Sequence, residues 1–233
     1  MSGIAARLRT RRNRIWARSF LTYRYLWPNI ESAIRRARGD LHVGKPVVLD
    51  VGCGERPYED LFAGCTYWGL NYGTEHASPH LVGTALALPI RDSAVDLVFA
   101  TQVIEHLPDP ARFLGECARV LRPGGRLVLT GPMYWPLHEE PHDYFRFTKY
   151  GFAELLRRTG LDLLELKPDG GNWAMIGQAL ALNLPGWLRP LVPVTNAIFL
   201  GLDMIDHRTG STMNYTLVAG RAGSGAVSAG PGR

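Results

Sequence analysis

Cysteine is scarce in this sequence, and the three present, Cys53, Cys65 and Cys117, are scattered. An odd, scattered set excludes a disulfide framework, and none of the paired spacings that hold zinc occurs. Charge is missing from Gly170 to Leu188, but Asn172, Gln178, Asn183 and Pro185 interrupt that stretch, and Arg189, Pro190 and Pro193 follow it. It therefore does not read as a membrane-spanning helix. The start of the chain has arginines without the continuous apolar segment of a secretory leader. A reducing, cytoplasmic setting is the expectation.

What is present suits one well-filled domain, since 233 residues with 46% hydrophobic content can bury a full core and leave appendages. Charge is uneven. Residues 1–40 hold ten arginines against Glu31 and Asp40, a surplus of eight in a chain whose total is +5, so the remainder carries about −3. Residues 1–45 read as a basic helical extension and 46–220 as the main domain, with an apolar helical insertion at about 172–206. Residues 221–233, mostly Gly, Ala and Ser, read as a disordered tail. In the extension Arg7, Arg9, Arg11, Arg12, Arg14 and Arg18 are interleaved with Leu8, Ile15, Trp16, Phe20 and Leu21. That pattern suits a solvated helix covering an edge of the domain, a helix in peripheral contact with the inner membrane surface, or one lying on RNA. Trp27-Pro28 is expected to break it, with a second short helix over Asn29 to Arg38.

The organising stretch is Val47-Val48-Leu49-Asp50-Val51-Gly52-Cys53-Gly54. Its β-branched apolar start reads as a strand buried on both faces, and its two glycines allow a sharp turn where a ligand can press on main chain. Two glycines alone also fit any tight strand-to-helix corner. Further strands are expected at 66–70, 80–83, 95–100, 126–130, 161–166 and 212–219, and helices after Pro57, from Pro108-Asp109-Pro110, and from Thr148 to Thr159. The alternation predicts an α/β fold of Rossmann-like type, a mostly parallel sheet with helices on both faces and ligands at the carboxyl ends of its strands.

The glycine loop is followed in order by Leu88-Pro89-Ile90-Arg91-Asp92, Val95-Asp96-Leu97-Val98, Val103-Ile104-Glu105-His106-Leu107-Pro108 and Arg119-Val120-Leu121-Arg122-Pro123-Gly124-Gly125. This series, covering roughly residues 47–170, resembles class I S-adenosylmethionine-dependent methyltransferases of the type 11 group. The resemblance implies a seven-stranded sheet with an antiparallel last strand, and S-adenosylmethionine as cofactor. It also implies that Asp50, Gly52, Cys53 and Gly54 lie beside the methionine portion, Asn71 at the ribose, Thr84 and Ala85 at the adenine, and Gln102 on the cofactor side of strand 4. Asn71 stands where the family usually has an acidic residue. A neutral acceptor there should weaken binding by about 1 kcal/mol.

Methyl transfer to a hydroxyl needs alignment, exclusion of water and a base. The candidates lie beyond strands 4 and 5. His142 beside Asp143 is the first choice, and His106 the second; the alternatives are a histidine and aspartate that anchor their loop and a histidine that braces the next helix. Ubiquinone-type O-methyltransferases, which this chain resembles near strand 4, can place two glutamates and a histidine around a divalent cation. Gln102 supplies no carboxylate at the matching run, so no metal is expected. The apolar insertion offers Trp173, Met175, Ile176, Trp187, Ile198, Phe199 and Leu200 as a cover for the acceptor. The reading is O-methylation of a small-molecule or lipid-linked acceptor. The alternatives are a methyltransferase-like cyclase or rearrangement enzyme, and a non-catalytic binding subunit. Nucleic acid is not an expected partner, because the chain beyond the extension is slightly acidic and has no Asn-Pro-Pro-Tyr motif for a flipped base.

Overall fold

The computed structural model describes residues 14–74 and 79–222. The arginines before Arg14 and the Gly- and Ser-rich end after residue 222 lie outside the described residues. Seven strands form one sheet: β1 (Val47–Val51), β2 (Thr66–Asn71), β3 (Leu81–Val82), β4 (Val95–Thr101), β5 (Leu121–Pro132), β6 (Leu161–Asp169) and β7 (Asn214–Arg221). Their order is β3-β2-β1-β4-β5-β7-β6. The first five pair in parallel, and β7 runs antiparallel between β5 and β6. After β3 the chain returns past β1 to form β4, so a topological switch opens at the carboxyl ends of β1 and β4.

Helices cover both faces. On one lie α2 (Pro110–Val120) and α3 (Lys149–Arg158), following α1 (Phe20–Gly39) in the chain. Asp109 caps α2 by accepting from the Arg112 amide at 2.9 Å, and Thr148 caps α3 through the Gly151 amide at 3.0 Å. Phe113, Leu114, Cys117 and Val120 fall at helical spacing and are fully buried among Leu49, Val98, Leu127 and Leu129.

The other face is closed by α1, which differs from the expected break at Pro28. A single helix runs through the proline. Proline there removes one intrahelical bond and crowds the preceding turn. Leu26, Ile30, Ala33, Ile34 and Ala37 are buried against Val48, Leu97, Phe99, Val128 and Val218. At about 1.5–3 kcal/mol for each large apolar side chain, that burial outweighs the local cost. The 20–39 segment is therefore a wall of the domain, covering a face of the sheet and not an edge.

Two further elements depart from expectation. β5 begins at Leu121, straight after α2, and includes Arg122-Pro123-Gly124-Gly125 across a register shift against β4. Arg122 Nη1 holds this irregular stretch by donating to Asp96 Oδ2 at 2.5 Å. The insertion between β6 and β7 forms α4 (Asn172–Asn183), a 3-10 turn (Gly186–Leu191) and α5 (Val192–Ile205). A Cβ on Gly177 would stand 2.3 Å from Phe199 Cβ, so only glycine lets α4 and α5 approach this closely. The hairpin packs on Phe20 and Leu21 at the start of α1 and on Met213 just before β7.

Candidate functional site

A cleft of about 490 Å³ opens at the switch point. One wall is the β1 loop with Asp50, Gly52, Cys53 and Gly54; the opposite end carries His106, Trp135, His138 and Glu139; Thr22, Tyr23 and Leu26 of α1 form a side. Asp50 is almost wholly buried and accepts from the Tyr67 hydroxyl at 2.5 Å. Burial pushes its carboxyl up from 3.8 to about 7, against the lowering effect of that hydrogen bond.

Gly52 and Gly54 both take left-handed φ, at +71° and +49°. A Cβ on Gly52 would lie 2.4 Å from Val103 Cγ2, whereas one on Gly54 meets nothing within 4 Å. The amides of Gly52 and Cys53 both donate to the Leu70 carbonyl, at 2.9 and 3.1 Å. The loop thus presents bare surface, while those two donors are spent on holding its shape. Cys53 is buried, its sulfur 2.8 Å from where a Cβ on Gly69 would sit, which makes it a packing residue beside the cleft.

Gln102 lines the cleft with left-handed φ of 53°. A non-glycine residue there is uncommon and marks a constrained position. Its backbone and side-chain amides both donate to Thr130 Oγ1, at 3.1 and 3.0 Å. Asn71, Thr84 and Ala85 lie near the carboxyl ends of β2 and β3, outside the cleft walls among the described residues. Thr84 Oγ1 closes its own turn by accepting from the Leu86 amide at 3.2 Å, and Ala85 is buried in the main core. Of the eight positions assigned to the cofactor from sequence, five therefore meet in one cleft.

The far end corrects the pairing of His142 with Asp143. Asp143 accepts from Arg146 Nη1 at 2.6 Å and Nη2 at 2.7 Å, and from the His138 amide at 3.0 Å. Its Oδ2 is also 3.2 Å from His138 Nδ1. The Arg146 guanidinium holds the carboxyl well below the usual carboxylate range. His142 turns its ring to the Tyr144 hydroxyl at 3.1 Å and is exposed, while its carbonyl accepts from His106 Nδ1 at 2.7 Å. Both useful imidazoles are thus fixed in one tautomer. His106 Nδ1 faces a carbonyl and His138 Nδ1 a carboxylate, so in the neutral ring Nε2 carries the lone pair; that of His106 stands 3.7 Å from Glu139 Oε2 and 3.9 Å from Glu105 Oε1.

Their rings meet edge to face at 4.7 Å. Glu105, fully buried below His106, has no hydrogen-bond partner for either carboxylate oxygen among the described residues. Burial pushes it up to about 8. Glu105, His106 and His138 bring three ligand-type atoms within 4.8 Å of one another, a set that two imidazoles and a carboxylate could offer to a transition metal. Sequence reasoning missed His138 because nothing local links it to His106; the Trp135–Arg146 loop, wound around one guanidinium, brings it there.

The model of the methyltransferase-domain family matches residues 49–129, which carry β1, its loop, β4 and most of β5. This chain contains a methyltransferase domain. A protein of Mycolicibacterium smegmatis described as a probable S-adenosylmethionine-dependent methyltransferase is 37% identical over 123 residues, 46% of this chain and 48% of the relative. The chain spans about half the length of that relative. A ubiquinone biosynthesis O-methyltransferase of Cupriavidus pinatubonensis is 29% identical over 173 residues, 60% of this chain and 68% of the relative. Among solved structures, a geranyl diphosphate methyltransferase shares the fold of this methyltransferase domain with a TM-score of 0.59 at 12% identity, over 86% of this chain and 79% of that one. The [4+2]-cyclase SpnF does so with a TM-score of 0.55 at 19% identity, over 83% and 82%.

Proposed function

We propose that this methyltransferase domain binds S-adenosylmethionine in the β1 cleft and methylates a hydroxyl of a small or lipid-linked acceptor. The observation that carries this reading is the continuity of one cleft from Asp50 and the bare glycine loop to the two Nε2 atoms of His106 and His138. The bound cofactor supplies an activated methyl group on a sulfonium. Asp50, Gly52 and Gly54 hold its amino-acid end, Gln102 sits along its side, and Trp135 helps exclude water. The His138–Asp143 pair, oriented by Arg146, takes the acceptor proton on Nε2, and His106 stands beside it. Oxygen as the methylated atom draws support from the similarity to a ubiquinone biosynthesis O-methyltransferase.

Calorimetry with S-adenosylhomocysteine and a search for a labelled methyl product test the two halves separately. Micromolar binding is expected, and turnover is expected to persist in EDTA because the imidazoles act as bases. No binding near millimolar ligand would favour the cyclase or binding-subunit alternatives. Turnover abolished by EDTA and restored by a divalent ion would move the chemistry onto a metal held by Glu105, His106 and His138.

The pH dependence has a defined sign. Asp50, at about 7 in the free chain, is largely protonated at pH 6 and ionised at pH 8. An ammonium group placed beside it favours the ionised form, so binding releases a proton at the lower pH. Affinity for S-adenosylhomocysteine is expected to rise about tenfold from pH 6 to pH 8. Fold stability moves the other way. Asp50 keeps its proton longer when folded than when unfolded, so its contribution to stability falls as pH rises from 3.8 towards 7. Calorimetry in buffers of different ionisation enthalpy reads the released proton directly; a flat affinity profile with no proton release would remove Asp50 from the ammonium site.

A further inference from the structure

The α4–α5 hairpin is built inside out for a helix in water. On its protein side α5 places Thr195, Asn196 and Asp203, all buried. Asp203 accepts from the Gly171 and Ala174 amides at 3.1 and 2.9 Å and so caps α4. Asn196 Nδ2 donates to the carbonyls of Ile15 and Ala17 at 2.6 and 3.0 Å, tying down the chain before α1. The solvent side carries Trp187 and Leu191 on the 3-10 turn and, at intervals of 4 and 7 that keep them on one stripe of α5, Val194, Ile198 and Ile205. Trp187 is 79% exposed and Ile205 81%. Ordinary surface helices have the opposite polarity, and so large an apolar stripe marks a docking face.

Charge identifies what docks. Between Gly170 and Leu202 there is no acidic residue, and Arg189 is the single charged one. Arg14 and Arg18 join it where the chain reaches α5, with Trp16, 70% exposed, between them. Arg18 is anchored through its guanidinium to the carbonyls of Leu182 and Leu184 at the end of α4. The sequence ahead of Arg14 adds four more arginines and no acid. A second copy of the chain would set this cationic border against itself. An anionic surface would not, and an apolar stripe edged by arginine and tryptophan is the pattern of a helix that settles at the boundary between headgroups and acyl chains.

We propose that the α4–α5 hairpin, with the chain around Arg14–Arg18, rests on an anionic lipid surface. The segment Gly186–Ile205 is long and apolar enough to cross a membrane, judged by length and composition. It lies on the surface instead, because crossing would carry Thr195, Asn196 and Asp203 away from the backbone groups they satisfy. Docking also sets the cleft beside the lipid. Thr22 is part of the cleft wall, and its amide and hydroxyl donate to Gln178 Oε1 of α4, each at 3.0 Å. A lipid-linked acceptor would thus reach the cleft from the docked side. That consequence rests on the methyl-transfer reading; the docking does not.

Co-sedimentation of the full chain with vesicles tests it, using phosphatidylcholine alone or mixed with phosphatidylglycerol. Strong binding is expected only to the mixed vesicles, weakened by salt. The double substitution Trp187→Ser with Ile198→Ser is expected to weaken it about tenfold or more, with S-adenosylhomocysteine binding and circular dichroism unchanged as controls for folding. Quenching of tryptophan fluorescence by brominated lipid in the parent chain gives an independent reading of insertion. Absence of binding to the mixed vesicles would overturn the proposal. So would binding that the double variant retains in full, or a dimer in light scattering that the double variant dissolves.

Discussion

Gly52→Ala is expected to weaken S-adenosylhomocysteine binding by about thirty- to a hundredfold, that is by about 2–3 kcal/mol, in a chain that still folds. Two separate effects add. The φ of +71° costs a residue with a Cβ about 1–2 kcal/mol. The new Cβ would also stand 2.4 Å from Val103 Cγ2, and a β-branched neighbour has few rotamers with which to retreat. The loop escapes by leaving its left-handed shape, and that shape is what the ligand meets. Val103 leads directly into the Ile104–His106 turn, so its displacement also shifts the imidazole end of the cleft. Gly52→Ala with Val103→Ala removes the collision but keeps the unfavourable φ, so about half of the lost binding free energy should return. Gly54→Ala, whose Cβ meets no neighbour within 4 Å, should cost less than Gly52→Ala. Equal affinity of parent and Gly52→Ala in calorimetry would show that the ligand binds elsewhere.

The central part of this architecture was legible because its signals are local. Residues 47–51 and 95–100 read as strands, and Pro108-Asp109-Pro110 and Thr148 as helix starts; each assignment depends on residues within a few positions, and each is met in the structure, where Asp109 and Thr148 are the caps. Pro28 misled for the complementary reason. Its cost is local, but the gain that overrides it comes from Val48, Phe99 and Val218, which only the folded sheet brings under α1. The site divides in the same way. Asp50, Gly52 and Gly54 are readable from one loop, and the left-handed backbone of Gln102 is not, because Thr130 on the neighbouring strand holds it. The sequence offered His142 beside Asp143, the nearest histidine and carboxylate. Geometry instead folds the loop back so that the carboxylate meets a histidine five residues earlier, with Arg146 filling the bend. The spacing of His138, Asp143 and Arg146 contained that possibility, but also several others.

His138→Gln is therefore expected to lower methyl transfer by about 10²- to 10⁴-fold, the usual worth of a positioned base, while S-adenosylhomocysteine binding stays within about twofold of the parent, under roughly 0.5 kcal/mol. His142→Ala is expected to retain most of the turnover, because the bond it makes to His106 uses a main-chain carbonyl that alanine keeps. Asp143→Asn separates orientation from chemistry. It leaves the His138 ring in place but replaces one carboxylate oxygen by an amide nitrogen, which cannot accept from Arg146 or from the ring. Losing charge-assisted hydrogen bonds of this kind costs about 1–3 kcal/mol, read as a lower unfolding midpoint together with a turnover loss smaller than that of His138→Gln. A base that acts through proton transfer also leaves a mark a structural residue would not. With the cofactor saturating, so that Asp50 is held ionised, the acidic limb of the parent's pH profile for turnover should vanish in His138→Gln, whereas a merely destabilised loop would lower the profile without changing its shape. If His142→Ala stopped turnover and His138→Gln did not, the proton would have to leave by the exposed ring beside Tyr144, and the His138–Asp143–Arg146 arrangement would be only the clasp of its loop.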